Sequence, residues 1–489
     1  MKKLTIAAVI IITLLNAGRA FSQTCSCRNL LDTLIAKVET DYAGYIHKVK
    51  EAANTTAYYN TKKALQTKAE TTSFADCYKV LNGYTGFFKD GHLFVAEFPA
   101  ADSALSDSLH KLIKHFDVPA GYTDILNNEK HRDDIEGVWK DALNEQIAIV
   151  KVKENLFYGV LQQSTVEKWA AGMVKLEIEK TNEGSYNVTY YRNDFVKIHF
   201  MGLHMYKNVF LPFGNYRLAK ILPHDPEIEY VNLVNPNLPV LKVIDSNNIL
   251  LTVPSALIDG RYLDSLLNKY NAVIKTTPNL IIDLRGNTGG NYIWGRLLYI
   301  ANTTEYAAPK KAGDDFLLLA SEDDAKYVRD RMQVYYKSAK DSAAFRYYDN
   351  LISKIRSNLG KIIGFSYYSS GQDTAKQFIM PNPQQISIIT DKGVASAAEA
   401  FILSARETSK KVVLYGANTH GMIDYMNINN LVLNCPGNKT YYFGYPTYFS
   451  KEIKTHPNNP TGIKPDIYIP ANEKDWVRWV INAYNTKVK

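Results

Sequence analysis

Two short stretches of this chain carry residue types that could perform acyl transfer. The first runs from Gln385 to Asp424 and holds G-V-A-S-A-A-E (Gly393 to Glu399) between two apolar runs, Ile386 to Thr390 and Val412 to Tyr415. Ser396 falls where strand gives way to helix. A hydroxyl there is exposed, and the free N–H groups of the first helical turn point at whatever it attacks. Ala395, Ala397 and Ala398 are small and leave room for a substrate backbone. The same letters also spell S-x-x-E, a capping box in which Ser396 only starts the helix and Glu399 completes it. The second stretch, Asn279 to Gly290, reads N-L-I-I-D-L-R-G-N-T-G-G. It is a strand ending in a glycine-rich turn. Gly289 and Gly290 carry no Cβ, so bare N–H groups can approach a ligand closely there.

Chemistry of this kind needs rigid support. Ile386 to Thr390 and Leu280 to Leu284 are short and strongly apolar, as strands buried on both faces are. N-I-L-L-T-V-P-S (Asn248 to Ser255) predicts another strand, with helices around Tyr262 to Tyr270 and Tyr292 to Ile300. Alternation at this spacing predicts a layered α/β core over 226–489. Residues 320 to 358, charged and Tyr-rich, are read as a helical insertion near the cleft. Upstream, runs such as Q-I-A-I-V-K-V and M-V-K-L-E-I-E-K alternate at regular spacing. They predict an antiparallel β domain over 131–225, a small barrel or sandwich. His199 and His204 are read as its sheet residues. Residues 23–130 form a helical region, with Leu30, Leu31, Leu34, Ile35 and Val38 on one face. That region ends in G-F-F-K-D-G-H-L-F-V. By itself, a histidine after the turn Asp90-Gly91 is a solvated turn residue.

Taken in order, D-L-R-G-N-x-G-G, G-x-A-S-A-A-E and G-I-K-P-D-I (Gly462 to Ile467) resemble the tail-specific or C-terminal processing serine peptidases and their tricorn-like relatives. The resemblance covers roughly residues 230 to 470 and one N-terminal patch. It implies a crotonase- or ClpP-like spiral core and a serine nucleophile at Ser396. The oxyanion would sit between the N–H of Gly289 or Gly290 and that of Ala397. The tricorn-like branch carries a D-x-H segment ahead of the core, and its histidine works as general base. D-G-H-L-F-V is similar to that segment, which gives the role to His92. The processing branch instead uses a lysine in T-x-G-K-G. Here that segment reads Thr419-His420-Gly421-Met422-Ile423, so a Ser–Lys dyad is excluded at Met422. The histidine branch, or an inactive relative, is what this implies. In an extended strand His420 shares a face with Met422 and is the second candidate base. Asp424 is a candidate to orient a histidine. Where the histidine branch has an acidic residue before its last motif, this chain has amides, Asn459 among them.

Composition bounds the rest. The chain has 489 residues and a formal charge of +8. Residues 1–22 read as a secretory signal: Lys2 and Lys3, then the apolar run Leu4 to Leu15, too short for a good membrane span. Losing Lys2, Lys3 and Arg19 with it leaves +5, a mild charge that does not call for nucleic acid. No later stretch is apolar enough to span a bilayer. Four cysteines are present, Cys25, Cys27, Cys77 and Cys435. Cys25 and Cys27 are too close for an easy mutual bridge, so the expected pair joins one of them to Cys77. A C-x-C zinc site lacks further ligands nearby, and neither metal nor cofactor is expected. The expected function is an exported serine endopeptidase acting on peptide or protein substrates in the periplasm or outside the cell. The alternatives are an inactive relative that binds peptides through the same cleft, and a serine esterase or amidase.

Overall fold

The structure is a computed structural model. It describes residues 26–99, 103–128, 132–182, 184–206, 209–213, 216–290, 297, 316–336, 342–366, 381–433, 439–454 and 461–488. The expected signal, Cys25, Cys435, most of the expected helix at 292–300, and Asn459 lie outside these residues.

The longer helices at the start of the described chain are α1 (Cys27–Asp41), α2 (Thr55–Thr71) and α3 (Cys77–Gly86), with short helical turns between them. Ser26 caps α1, its hydroxyl accepting the Asn29 N–H at 3.2 Å. Leu30, Leu31, Leu34, Ile35 and Val38 are buried on one face, as their 3–4 spacing dictates. A disulfide between Cys27 and Cys77 ties the first turn of α1 to the first turn of α3, with Cα atoms 5.3 Å apart. After α3 the chain turns through Asp90 and Gly91 and enters β1 (Phe94–Pro99).

Next come two short helices, α4 (Ser103–His110) and α5 (Tyr122–Asn128), and then nine strands. These are β2 (Gly137–Lys140), β3 (Gln146–Lys153), β4 (Leu156–Gln163), β5 (Val174–Lys180), β6 (Tyr186–Tyr191), β7 (Lys197–Leu203), β8 (Met205–Tyr206), β9 (Val209–Phe213) and β10 (Tyr216–Leu222). They form one antiparallel sheet in the order β7-β6-β5-β4-β3-β2-β10-β9-β8. β7 and β8 stand at opposite ends of that order, yet only His204 separates them in the chain. The two ends must therefore lie side by side, so the sheet curls around the apolar cluster of Trp139, Phe157 and Leu176.

The central element is a six-stranded sheet in the order β11-β12-β13-β16-β17-β20. Its strands are β11 (Val240–Val243), β12 (Asn248–Thr252), β13 (Asn279–Asp283), β16 (Gln385–Thr390), β17 (Val412–Gly416) and β20 (Ile467–Tyr468). All neighbours are parallel except β11 and β12. Successive residues alternate between two cores. Ile249, Leu280, Ile282, Ile386 and Ile388 face one; Leu250, Ile281 and Ile389 face the other. Helices α6 (Gly260–Lys269) and α7 (Asn271–Thr276) serve the first face. β14 (Phe316–Leu319), α8 (Glu322–Tyr336), α9 (Ser342–Arg356) and β15 (Ile362–Phe365) pack together, where the sequence predicts a helical insertion. α10 (Ala397–Thr408) follows β16 and joins the first core; α11 (Trp476–Val488) closes the second.

A third, antiparallel sheet runs β1-β19-β14-β15, with β18 (Tyr425–Leu433) also paired along β19 (Lys439–Ser450). β1 pairs with β19 from Phe94 opposite Gly444 to Pro99 opposite Lys439. This pairing brings the N-terminal segment onto the C-terminal half of the chain.

Candidate active site

Register decides where the site forms. Thr252 lies opposite Asp283, Asp283 opposite Ile389, and Thr390 opposite Gly416. The parallel strands β12, β13, β16 and β17 thus end level, and the loops after them meet at one edge. The carboxyl ends of parallel strands are where α/β sheets build sites. Here the converging loops carry Gly289 and Gly290, Ser396, and His420 to Met422.

Ser396 is the N-cap of α10 and holds φ 54° and ψ −115°, a left-handed conformation for a residue with a Cβ. Such a backbone costs on the order of 1–3 kcal/mol and persists only where neighbours hold it. Three hold it here. The Ser396 N–H donates to Glu399 Oε2 at 2.9 Å, the Ala395 N–H to the Asn287 carbonyl at 3.0 Å, and Gly289 lies against the elbow. A Cβ on Gly289, at φ +89°, would come within 2.7 Å of the Ala397 nitrogen. Only glycine fits there.

The elbow presents the Ser396 hydroxyl to a histidine that is 304 residues away in sequence: His92 Nε2 stands 2.9 Å from Ser396 Oγ. His92 is buried, at 4 % exposure. Its other ring nitrogen, Nδ1, lies 2.6 Å from the carbonyl oxygen of Tyr425. A carbonyl oxygen only accepts, so Nδ1 carries the proton and Nε2 turns a lone pair to the serine. The His92 N–H donates to Asp90 Oδ1 at 3.0 Å, and Asp90 Oδ2 accepts from the buried Tyr42 hydroxyl at 2.6 Å. These contacts fix the turn that the sequence alone describes as solvated.

The remaining predicted residues fall as follows. The His420 side chain is exposed, and its Nδ1 lies 3.3 Å from the Lys392 carbonyl; the structure brings His92, not His420, to Ser396. Asp424 is buried, at 2 % exposure, and its charge bears on Lys48. Burial pulls the Lys48 ammonium down, while Asp90 and Asp424 pull it up. The group orienting His92 is the carbonyl of the next residue, Tyr425, instead of the Asp424 carboxylate. Gly289 is buried, and its N–H donates to Asn287 Oδ1 at 2.9 Å, which removes it as an oxyanion donor. Its positive φ turns that N–H back into its own loop. Gly290 is exposed, and among the described residues neither its N–H nor that of Ala397 has an acceptor.

Sequence reasoning missed the residues that fasten these loops together. The Glu399 carboxylate is fully buried and accepts four hydrogen bonds: Ser396 N–H (2.9 Å), Met422 N–H (2.8 Å), Gly421 N–H (2.8 Å) and the Thr419 hydroxyl (2.5 Å). Thr419 Oγ1 in turn accepts the Ile463 N–H at 2.7 Å, which brings in the G-I-K-P-D segment. The capping-box pattern marks Glu399 but gives no sign of the other three donors. Asn287 spans three loops through Val253 O, Gly289 N–H and Ala395 N–H. Asp391 Oδ1 accepts both Gly286 N–H and Gly393 N–H at 2.9 Å. Burial pushes its carboxyl up to about 6, against the pull of those bonds and of Arg285. Arg285 is clamped by Asp283 and Glu227, with closest contacts of 2.9 and 2.8 Å. From the curled sheet, buried Arg217 donates to the carbonyls of Pro254 and Gly286. Nothing in its alternating strand marks that reach.

Comparison with known proteins follows the same region. Residues 250–469 match the model of peptidase family S41. No curated protein matches the chain. Among solved structures, mature CPAF complexed with lactacystin is 14% identical, covering 95% of this chain and 97% of that one, with a TM-score of 0.47. The photosystem II D1 C-terminal processing protease is 11% identical over 92% of this chain and 95% of that one, with a TM-score of 0.35. The tricorn protease is 11% identical over 94% of this chain and 37% of that one, with a TM-score of 0.36.

Proposed function

Residues 250–469 match the model of peptidase family S41, and from that likeness we propose that the chain is an exported serine endopeptidase with Ser396 as nucleophile and His92 as general base. The observation that carries this reading is the 2.9 Å contact between His92 Nε2 and Ser396 Oγ, with Nδ1 held by the Tyr425 carbonyl. Nucleophile, base and orienting group stand in series, which is the arrangement acyl transfer to serine requires.

In this reading Ser396 Oγ attacks a peptide carbonyl carbon as its proton passes to His92 Nε2. The carbonyl oxygen becomes an oxyanion that the N–H groups of Gly290 and Ala397 stabilise. His92 then gives the proton to the leaving nitrogen, the C–N bond breaks, and an acyl-enzyme remains on Ser396. Water, deprotonated by His92, attacks the acyl carbon; the bond to Ser396 Oγ breaks, the acid leaves, and His92 returns the proton to Oγ. The orienting group is a neutral carbonyl, and it sets the tautomer of His92. The Asp90 carboxylate accepts the backbone N–H of His92 and holds the turn that carries it. A lysine base has no part, because Met422 stands at its position.

The parallel sheet covered by helices on both faces supports a spiral core of the crotonase or ClpP type. We read the units as a helical region to about residue 130 that delivers His92, a curled β module to about 225, and the core beyond. The disulfide between Cys27 and Cys77 favours an oxidising compartment, in keeping with export behind a signal at 1–22.

Labelling with a fluorophosphonate serine probe tests the mechanism. Wild type labels, Ser396→Ala and His92→Ala do not, and His420→Ala labels as wild type. A folded wild type that does not label refutes the catalytic reading and leaves a peptide-binding relative. Loss of labelling in His420→Ala with retention in His92→Ala would reassign the base.

A further inference from the structure

A cavity of about 520 Å³ opens beside the site and takes no part in the steps above. Its surface is mostly apolar, and three parts of the chain build it. Thr85 comes from α3, and Leu93 and Phe94 follow the histidine turn. Met201 comes from β7 of the curled sheet. Gly421 and Met422 come from the loop after β17. Gly91 also lines it, one residue from His92. Met422 shares the Glu399 carboxylate with Ser396 through its N–H. Its thioether packs against Gly91: a Cβ there would meet Met422 Cε and Sδ at 2.5 Å. The side chain at the lysine position of the processing branch is therefore a cavity wall pressed against the histidine turn.

We propose that this cavity is the leaving-group subsite, taking apolar side chains immediately C-terminal to the cleaved bond, with Met201 and Met422 setting that preference. The proposal rests on the peptidase reading. Its direction follows from the proton's path. His92 must hand its proton to the leaving nitrogen, so that nitrogen lies against His92, while the acyl oxygen lies toward Gly290 and Ala397. The chain that continues from the nitrogen then runs past Gly91 and Met422 into the cavity. The volume falls in the range of small-ligand pockets and exceeds what one side chain fills. Two flexible thioethers make its walls adaptable, so the preference is for apolar bulk and not for one shape. Met201 is 59% exposed without substrate, a large apolar side chain left uncovered at the mouth.

The test uses two peptides alike except for the two residues after the cleaved bond, Leu-Phe in one and Ser-Ser in the other. Wild type should favour the first in kcat/KM by roughly ten- to a hundredfold, the scale of apolar-pocket discrimination. Met201→Asp should bring the ratio to within about threefold of unity, and Met422→Ala should lower it in part. Met201 is exposed, so its substitution leaves folding intact. A wild-type ratio near one, or a ratio unmoved in both variants while they still cleave, overturns the subsite. If the wild type fails to label with fluorophosphonate and cleaves neither peptide, the peptidase reading fails separately. The subsite is then judged by binding of the two peptides in fluorescence anisotropy. An apolar peptide held tenfold tighter by wild type than by Met201→Asp upholds it, and equal affinities overturn it.

Discussion

Glu399→Gln isolates the fastening of the elbow from the chemistry of the serine. The carboxylate is fully buried and serves four donors, two on each oxygen. Glutamine keeps the shape but offers one accepting oxygen. If its nitrogen replaces Oε2, the N–H groups of Ser396 and Met422 face another donor. If it replaces Oε1, the Gly421 N–H does. One or two buried donors lose their acceptor, at roughly 1–3 kcal/mol each, or about 3 kcal/mol together. Felt wholly at the elbow, that is on the order of a hundredfold in rate. The assay is the pseudo-first-order rate of fluorophosphonate labelling, with thermal melting of the same samples. The expected result is labelling slowed about a hundredfold with a melting point lowered by only a few degrees. A variant that labels and melts like wild type refutes the claim that this carboxylate holds Ser396 in place. A melting point that collapses in step with the labelling would make the role one of stability alone.

Two further predictions concern the scaffold. Burial pushes the Asp391 carboxyl up to about 6, so the folded state binds its proton more tightly than the unfolded chain does. Stability from this group is then full below about pH 4 and is lost as pH rises through 6, by at most about 3 kcal/mol. Asp391→Asn can keep both backbone bonds without the charge. It should match wild type at pH 4 and exceed it at pH 7.5 in urea unfolding; a variant less stable at pH 7.5 would show that the charge, through Arg285 and Arg217, outweighs burial. Cys77→Ser opens a loop of about 50 residues and should cost about 4 kcal/mol by loop entropy. Labelling should fall with it, because α3 leads into the turn that carries His92; unchanged melting with and without reductant would contradict this.

Much of the site was legible because it rests on local rules. Ser396 is marked by a strand-to-helix junction with small neighbours, and Gly289 and Gly290 by a turn that excludes Cβ atoms. Alternation foretold the antiparallel strands between 137 and 222, and the 3–4 spacing foretold the buried face of α1. These patterns are properties of consecutive residues, and the backbone periods of helix and strand make them readable. By the same local rule His92 was a solvated turn residue, and only the resemblance to a peptidase branch pointed elsewhere.

Other features depend on contacts between distant segments, which no local period encodes. The pairing of β1 with β19 places His92 beside Ser396, and the level ends of β12, β13, β16 and β17 set the loops side by side. The orienting group for His92 is a backbone carbonyl, which every residue possesses, so sequence cannot distinguish Tyr425 from its neighbours. Gly289 has the bare N–H that the sequence offered to an oxyanion, but its folded backbone commits that N–H to Asn287, while Gly290 beside it is exposed. Glu399 looked like a helix cap, and burial among four donors makes it the junction of the serine elbow and the loop after β17, with the segment at Ile463 joined through Thr419. By itself the sequence determined which side chains were available and which elements would carry them. Tertiary structure decided which of them meet, because a hydrogen bond is made only where the fold brings donor and acceptor within about 3 Å.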